Sequence, residues 1–232
     1  TMTTLVGLDP STSHTFAVWA IDGAGNQSDQ GPSATISTTD GSAPTWPEGA
    51  SVIASKITPN TLTLAWTPAN DDVQVTAYRV WQDGDLVATV AGTTTDIAGL
   101  GPWTDYTFTV LAEDGAGNVS EPGPSVSLKT PDTSDPVWPE GATLVVSELT
   151  PHTLTLKWTS AVDDVSVVEY QLHQGDVKLA TLGAEETSFD VTGLSPWTEY
   201  SFRVSATDRA GNGTASELEA EAKTPDEVAP TW

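Results

Sequence analysis

Cysteine is absent from the 232 residues, so neither a disulfide nor a thiolate-bound metal holds the chain together. Basic residues are scarce: eight Lys and Arg stand against 32 Asp and Glu, for a net charge of −24. A surface of that sign repels nucleic-acid backbones and anionic membranes, which excludes DNA- and RNA-binding functions. No apolar run approaches the roughly 20 residues of a membrane span, and no secretory leader pattern opens the chain at Thr1. The three histidines, His14, His152 and His173, make no metal-binding spacing. A Gly-rich phosphate loop, a serine nucleophile with His and Asp partners, and a facing pair of acids are all missing, so the sequence reads as non-enzymatic. With no cross-link, stability has to come from a packed core, and the nine Trp are its obvious source of buried area.

What the chain does have is repetition. Pro44-Thr45-Trp46-Pro47-Glu48-Gly49-Ala50 returns 92 positions later as Pro136-Val137-Trp138-Pro139-Glu140-Gly141-Ala142, and Pro230-Thr231-Trp232 begins a third return. Such a period marks an array of small units. The expected division is a leading piece at 1–40, whole units at 41–132 and 133–226, and the start of a further repeat at 227–232. Within the first whole unit, period-two alternation puts Leu62, Leu64 and Trp66 on one face. Seven short strands are expected near residues 50–55, 61–66, 77–82, 86–90, 94–98, 106–112 and 125–129, with Asp83-Gly84 as a hairpin turn. Residues 136–225 repeat that pattern, with two extra residues near Glu185-Glu186. Seven strands with turns every 8–12 residues point to an all-β, two-sheet sandwich. Thr1 aligns with Thr93, so residues 1–39 should supply only the last three strands of a unit. Their apolar face (Leu5, Phe16, Val18, Ile36) is one that three strands cannot cover, and the piece reads as cut from a longer array.

Both whole units resemble fibronectin type III domains, and the resemblance covers essentially the whole chain. It is carried by Leu62-Thr-Leu-Ala-Trp66 and Leu154-Thr-Leu-Lys-Trp158, and by Leu100-Gly-Pro-Trp-Thr-Asp-Tyr106 and Leu194-Ser-Pro-Trp-Thr-Glu-Tyr200. Asp71-Asp-Val-Gln-Val-Thr-Ala-Tyr78 and Asp114-Gly-Ala-Gly-Asn118 resemble the bacterial extracellular branch. The resemblance implies tandem seven-stranded immunoglobulin-like sandwiches, a corner role for Tyr106 and Tyr200, and attachment to secreted polysaccharide hydrolases or large surface proteins. The leading piece departs from it, with His14 at the corner Tyr position and Ser11 at the position of Trp103 and Trp197.

In that fold the loops after the second and sixth strands share the pole that receives the incoming linker. Asp71, Asp72, Asp114 and Asn118 would converge there, as would Asp163, Asp164, Asp208 and Asn212. Converging oxygens suit calcium, the one cofactor this sequence suggests; the competing reading is that these residues only cap turns. Trp46, Trp103, Trp138 and Trp197 lie in linkers or polar loops, as interdomain contacts or as platforms for sugar rings. Trp66 and Trp158 are core. Asn26, Asn118 and Asn212 each head a glycosylation triplet. The linkers are rich in proline and stiff.

Two functional readings follow. One is a non-catalytic stalk, spacer or filament element of an extracellular or cell-surface repeat protein, such as an adhesin. Its partners would be neighbouring repeats and, through lateral self-association, other arrays. The other is a polysaccharide-binding or accessory module of a secreted hydrolase.

Overall fold

The computed structural model describes residues 2–227, and among these the backbone forms sixteen strands and no helix. Contacts divide the chain into two compact units, one of residues up to 57, 61–99 and 105–129, the other of residues 58–60, 100–104 and 130 onward.

The first unit contains β1 (Ser13–Ala17), β2 (Ser33–Ser37), β3 (Val52–Ser55), β4 (Thr61–Trp66), β5 (Val75–Gln82), β6 (Asp85–Val90), β7 (Thr94–Ala98), β8 (Asp105–Asp114) and β9 (Ser125–Lys129). From β3 on these form a three-stranded sheet, β3-β4-β7, and a four-stranded sheet, β6-β5-β8-β9, with every pairing antiparallel. Alternation decides which side chains face inward. Leu62, Leu64 and Trp66 of β4 are buried, as are Phe108, Val110 and Ala112 of β8. Asp83 and Gly84 link β5 to β6 with φ of 51° and 97°. That pair of left-handed residues matches the strand twist, and glycine takes the second position without a Cβ penalty.

The second unit repeats the plan with β10 (Leu144–Ser147), β11 (Thr153–Trp158), β12 (Val167–Gln174), β13 (Val177–Gly183), β14 (Ser188–Thr192), β15 (Glu199–Asp208) and β16 (Leu218–Lys223). Its sheets are β10-β11-β14 and β13-β12-β15-β16. Leu154, Leu156, Trp158, Tyr170, Leu172, Phe202 and Val204 make its core. The two extra residues fall in the turn from β13 to β14, where Glu186 Oε2 accepts the Gly183 amide at 2.8 Å and closes the longer loop. In the corner motif, Ser195 N donates to the Tyr200 hydroxyl at 2.8 Å. His14 Nε2 meets the Asp9 carbonyl at 3.4 Å, also five residues upstream, so it occupies the same corner in the leading segment.

The leading segment forms two strands rather than three. β1 pairs with β2, and residues 2–9 are irregular. In the complete copies β7 pairs only with β4, and β14 only with β11. The leading segment has no counterpart of β4, so the expected third strand has nothing to bond to. Its apolar side chains stay open: Leu5, Val18 and Ile36 are 51%, 65% and 52% exposed. Beyond Glu227, the start of a further repeat at 227–232 lies outside the described residues.

Candidate functional site

In the first unit the incoming linker is fastened to the loop after β4. Thr45 and Asn70 exchange backbone hydrogen bonds at 2.7 and 2.8 Å. Upstream of that clasp, Asp40 is 9% exposed, and its Oδ1 accepts the Ser42 amide at 3.1 Å. The Ser42 hydroxyl donates to Asp72 Oδ2 at 3.2 Å. Asp71 turns one oxygen back onto its own loop, where Oδ2 accepts the amides of Val73 and Gln74 at 3.0 and 2.8 Å. Asp40 Oδ2 and Asp71 Oδ1 remain buried with no hydrogen-bond donor. One carboxylate oxygen from each of Asp40, Asp71 and Asp72 lies within 4.8 Å of the others.

The second unit repeats this geometry. Val137 and Val162 form the clasp at 2.8 and 2.9 Å. Asp132, 7% exposed, accepts the Ser134 amide at 3.0 Å, and the Ser134 hydroxyl donates to Asp164 at 3.2 Å. Asp163 Oδ1 accepts the amides of Val165 and Ser166, both at 2.9 Å. Asp132 Oδ2 and Asp163 Oδ2 are again buried with no donor. Oxygens of Asp132, Asp163 and Asp208 cluster within 4.8 Å. Burial raises the Asp132 carboxyl above its ordinary 3.8; the Ser134 amide works against this, and the charges of Asp164, Asp208 and Asp163 reinforce it.

Asp114, Asp208 and the two asparagines also close loops of their own. Asp114 Oδ1 accepts the amides of Ala116 and Asn118 at 2.9 and 2.8 Å, and Oδ2 accepts Asn118 Nδ2 at 2.7 Å. Burial opposes its ionisation, but the Asn118 side chain and the amides of Asn118, Ala116 and Gly117 outweigh that and hold the carboxyl below 3.8. Asp114 lies outside the carboxylate triplet, whereas Asp208, held by the same kind of loop bonds, has an oxygen inside the second one. Asp208 and Asn212 close the equivalent loop with contacts of 2.6–2.8 Å, and Asp22 and Asn26 do so in the leading segment. Asn118 and Asn212 donate through Nδ2 to the loop aspartate and to linker carbonyls. Asn118 Nδ2 reaches the Ser42 and Asp40 carbonyls at 3.0 and 3.5 Å, and Asn212 Nδ2 reaches the Asp132 carbonyl at 3.5 Å.

Asp40 and Asp132 escaped the sequence reading because both precede the unit they serve. The signal that finds them is internal: Asp40-Gly-Ser42 and Asp132-Thr-Ser134 keep the repeat spacing of 92.

The tryptophans separate. Trp46 and Trp138, both half-buried, pack against the tyrosine of the sandwich they lead into. Trp46 lies 6.0 Å from the Tyr78 ring and Trp66 lies 5.6 Å from it; the second unit places Trp138 at 6.2 Å and Trp158 at 5.7 Å from Tyr170. Trp46 Nε1 donates to Ser120 Oγ at 3.0 Å, and Trp138 Nε1 to the Ser216 carbonyl at 2.8 Å. Each tyrosine is gripped between two indoles, and its hydroxyl accepts a backbone amide from Ala69 or Ala161. Trp46 and Trp138 thus each contact the tyrosine of the sandwich that follows them. Trp103 is half-buried. Trp197 is 66% exposed, with Lys223 Nζ 4.3 Å from its ring centroid. Trp103 and Trp197 share a left-handed backbone, φ 48° and 52°, with Ser11 at 47°.

The glycosylation triplets also have a structural explanation. The side-chain nitrogens of Asn26, Asn118 and Asn212 all donate to the loop aspartate. The following Ser28, Ser120 and Thr214 accept backbone amides across the hairpin, at 3.2, 2.8 and 3.3 Å.

A family model described as the fibronectin type III domain matches residues 42–129 and 138–221. Chitinase A1 of Niallia circulans is 36% identical over 195 residues, 82% of this chain and 27% of that protein. Exoglucanase B of Cellulomonas fimi is 34% identical over 182 residues, 77% of this chain and 16% of that protein. The chain thus spans about a quarter or less of these two relatives. A solved two-domain fibronectin type III segment of chicken tenascin aligns with 79% of this chain and all of its own, at 19% identity and a TM-score of 0.39.

Proposed function

The chain belongs to the fibronectin type III family, a non-catalytic fold, and from that premise we propose that it is an accessory section of a secreted polysaccharide hydrolase. The observation that carries this reading is the pairing of coverages: most of this chain matches the chitinase, while only 27% of the chitinase is matched. The section would space and orient a hydrolytic module relative to an insoluble substrate outside the cell. The clasped linkers support it, because a linker bonded to the sandwich it enters transmits orientation. The relatives favour this role over the stalk, filament or adhesin reading, and they offer no support for lateral self-association.

The test is excision of residues 42–226 from the full-length protein. Hydrolysis of insoluble chitin or cellulose should fall several-fold while a soluble oligosaccharide is cut at the original rate. Equal loss on both substrates would reject the accessory role. A second reading, direct contact with polysaccharide, is favoured by the exposed indole of Trp197. It requires that Trp197→Ala alone abolish retention of the chain on the insoluble substrate.

A further inference from the structure

We propose that each acidic pole is a calcium site, built by Asp40, Asp71 and Asp72 in the first unit and by Asp132, Asp163 and Asp208 in the second. Two independent observations carry it. The first is convergence: each unit brings three carboxylate oxygens within 4.8 Å of one another, the linker aspartate and Asp71 or Asp163 being joined by Asp72 in the first unit and by Asp208, the counterpart of Asp114, in the second. The second is want of donors. Asp40 and Asp132 are more than nine-tenths buried, and each directs one oxygen to a place where no protein hydrogen-bond donor answers it. A second buried oxygen without a donor comes from Asp71 or Asp163. Buried anions facing one another need a counter-charge, and no Lys or Arg is within ion-pair distance of these carboxylates among the described residues.

The chemistry selects the ion. All the ligands are hard oxygens, which turns away zinc and copper. Calcium–oxygen distances of about 2.3–2.6 Å let ligands on one ion lie up to about 5 Å apart, whereas magnesium at about 2.0–2.1 Å draws them to about 4.2 Å or less. Oxygens within 4.8 Å of one another fall inside the span of a single calcium ion. Each site joins the linker aspartate to the loop after β4 or after β11, so an ion would add a third fastening to the backbone clasp and the Ser42 or Ser134 hydroxyl bond. The site does not depend on the accessory role, since it is defined by the chain's own residues.

Calorimetric titration of the chelator-stripped full chain with calcium chloride tests it. Two ions per chain are expected, with Kd of about 10⁻⁴–10⁻³ M, the range of extracellular calcium modules. At about 10 mM calcium the Tm should rise by at least about 5 °C above that in magnesium or sodium chloride of equal ionic strength. Asp132→Asn and Asp40→Asn, near-isosteric changes, should each remove one ion and together abolish the calcium-specific Tm gain. Absence of binding heat in the unmodified chain, or a Tm gain that sodium reproduces, would overturn the proposal. So would two ions still bound after either substitution in a chain with unchanged circular dichroism.

Discussion

Asp132 shows what a single buried carboxylate does to stability. Its folded-state pKa lies above 3.8, so between 3.8 and the folded value the native chain holds more protons than the unfolded one. Stability in calcium-free buffer must then rise as pH falls from neutral through that window. His152 works in the same direction. The Leu194 carbonyl and then Glu227 raise it above 6.5, so its contribution is complete below 6.5 and is lost as pH rises through the folded value. Asp22 and Asp114 work in the opposite direction, because their lowered values give stability above 3.8 that disappears in stronger acid. The expected outcome is a Tm maximum on the mildly acidic side of neutrality, measurable by scanning calorimetry. Asp132→Asn should flatten the acid-side gain and raise the Tm at pH 7.

At the scale of strands and linkers, cooperation decides what forms. β1 and β2 pair only with each other, Phe16 of β1 is half-buried, and every residue of β2 is exposed. Amide hydrogen exchange in residues 13–37 should therefore be much faster than in β5, β8, β12 and β15, each of which sits between two partners. All seven strands of each whole unit were legible in the sequence, because alternation of the kind seen at Leu62, Leu64 and Trp66 is a local signal. The missing third strand of the leading segment was not, because residues 2–9 carry the pattern and only the absent partner forbids pairing. The acidic poles were half legible. Fold resemblance brings Asp71 and Asp163 to the pole, but the parts played by Asp40 and Asp132 depend on how each linker turns back onto its sandwich. The fold resemblance brings Asp114 to the same pole, but that its oxygens accept the amides of their own loop is visible only in the hydrogen bonds.

Over the whole molecule the dominant quantity is a net charge of −24. Repulsion among exposed acids favours expansion, and salt weakens it once the screening length falls to about 10 Å near 0.1 M. In calcium-free buffer at pH 7 the Tm should climb with sodium chloride between about 20 and 300 mM and then level off. A Tm that falls over this range would show that attractive pairs such as Arg79–Glu113, at 2.6 Å, outweigh the repulsion. The three closed loops at 22–26, 114–118 and 208–212 also govern how the chain ages. Only the last is followed by glycine, at Asn212-Gly213, the dipeptide most open to succinimide formation and deamidation. Conversion of that amide to a carboxylate would erase the donor that spans Asp208 and the Asp132 carbonyl, and would add an anion beside three others. Old preparations would therefore loosen first at the second linker, while the Asn118 pole, followed by valine, keeps its grip.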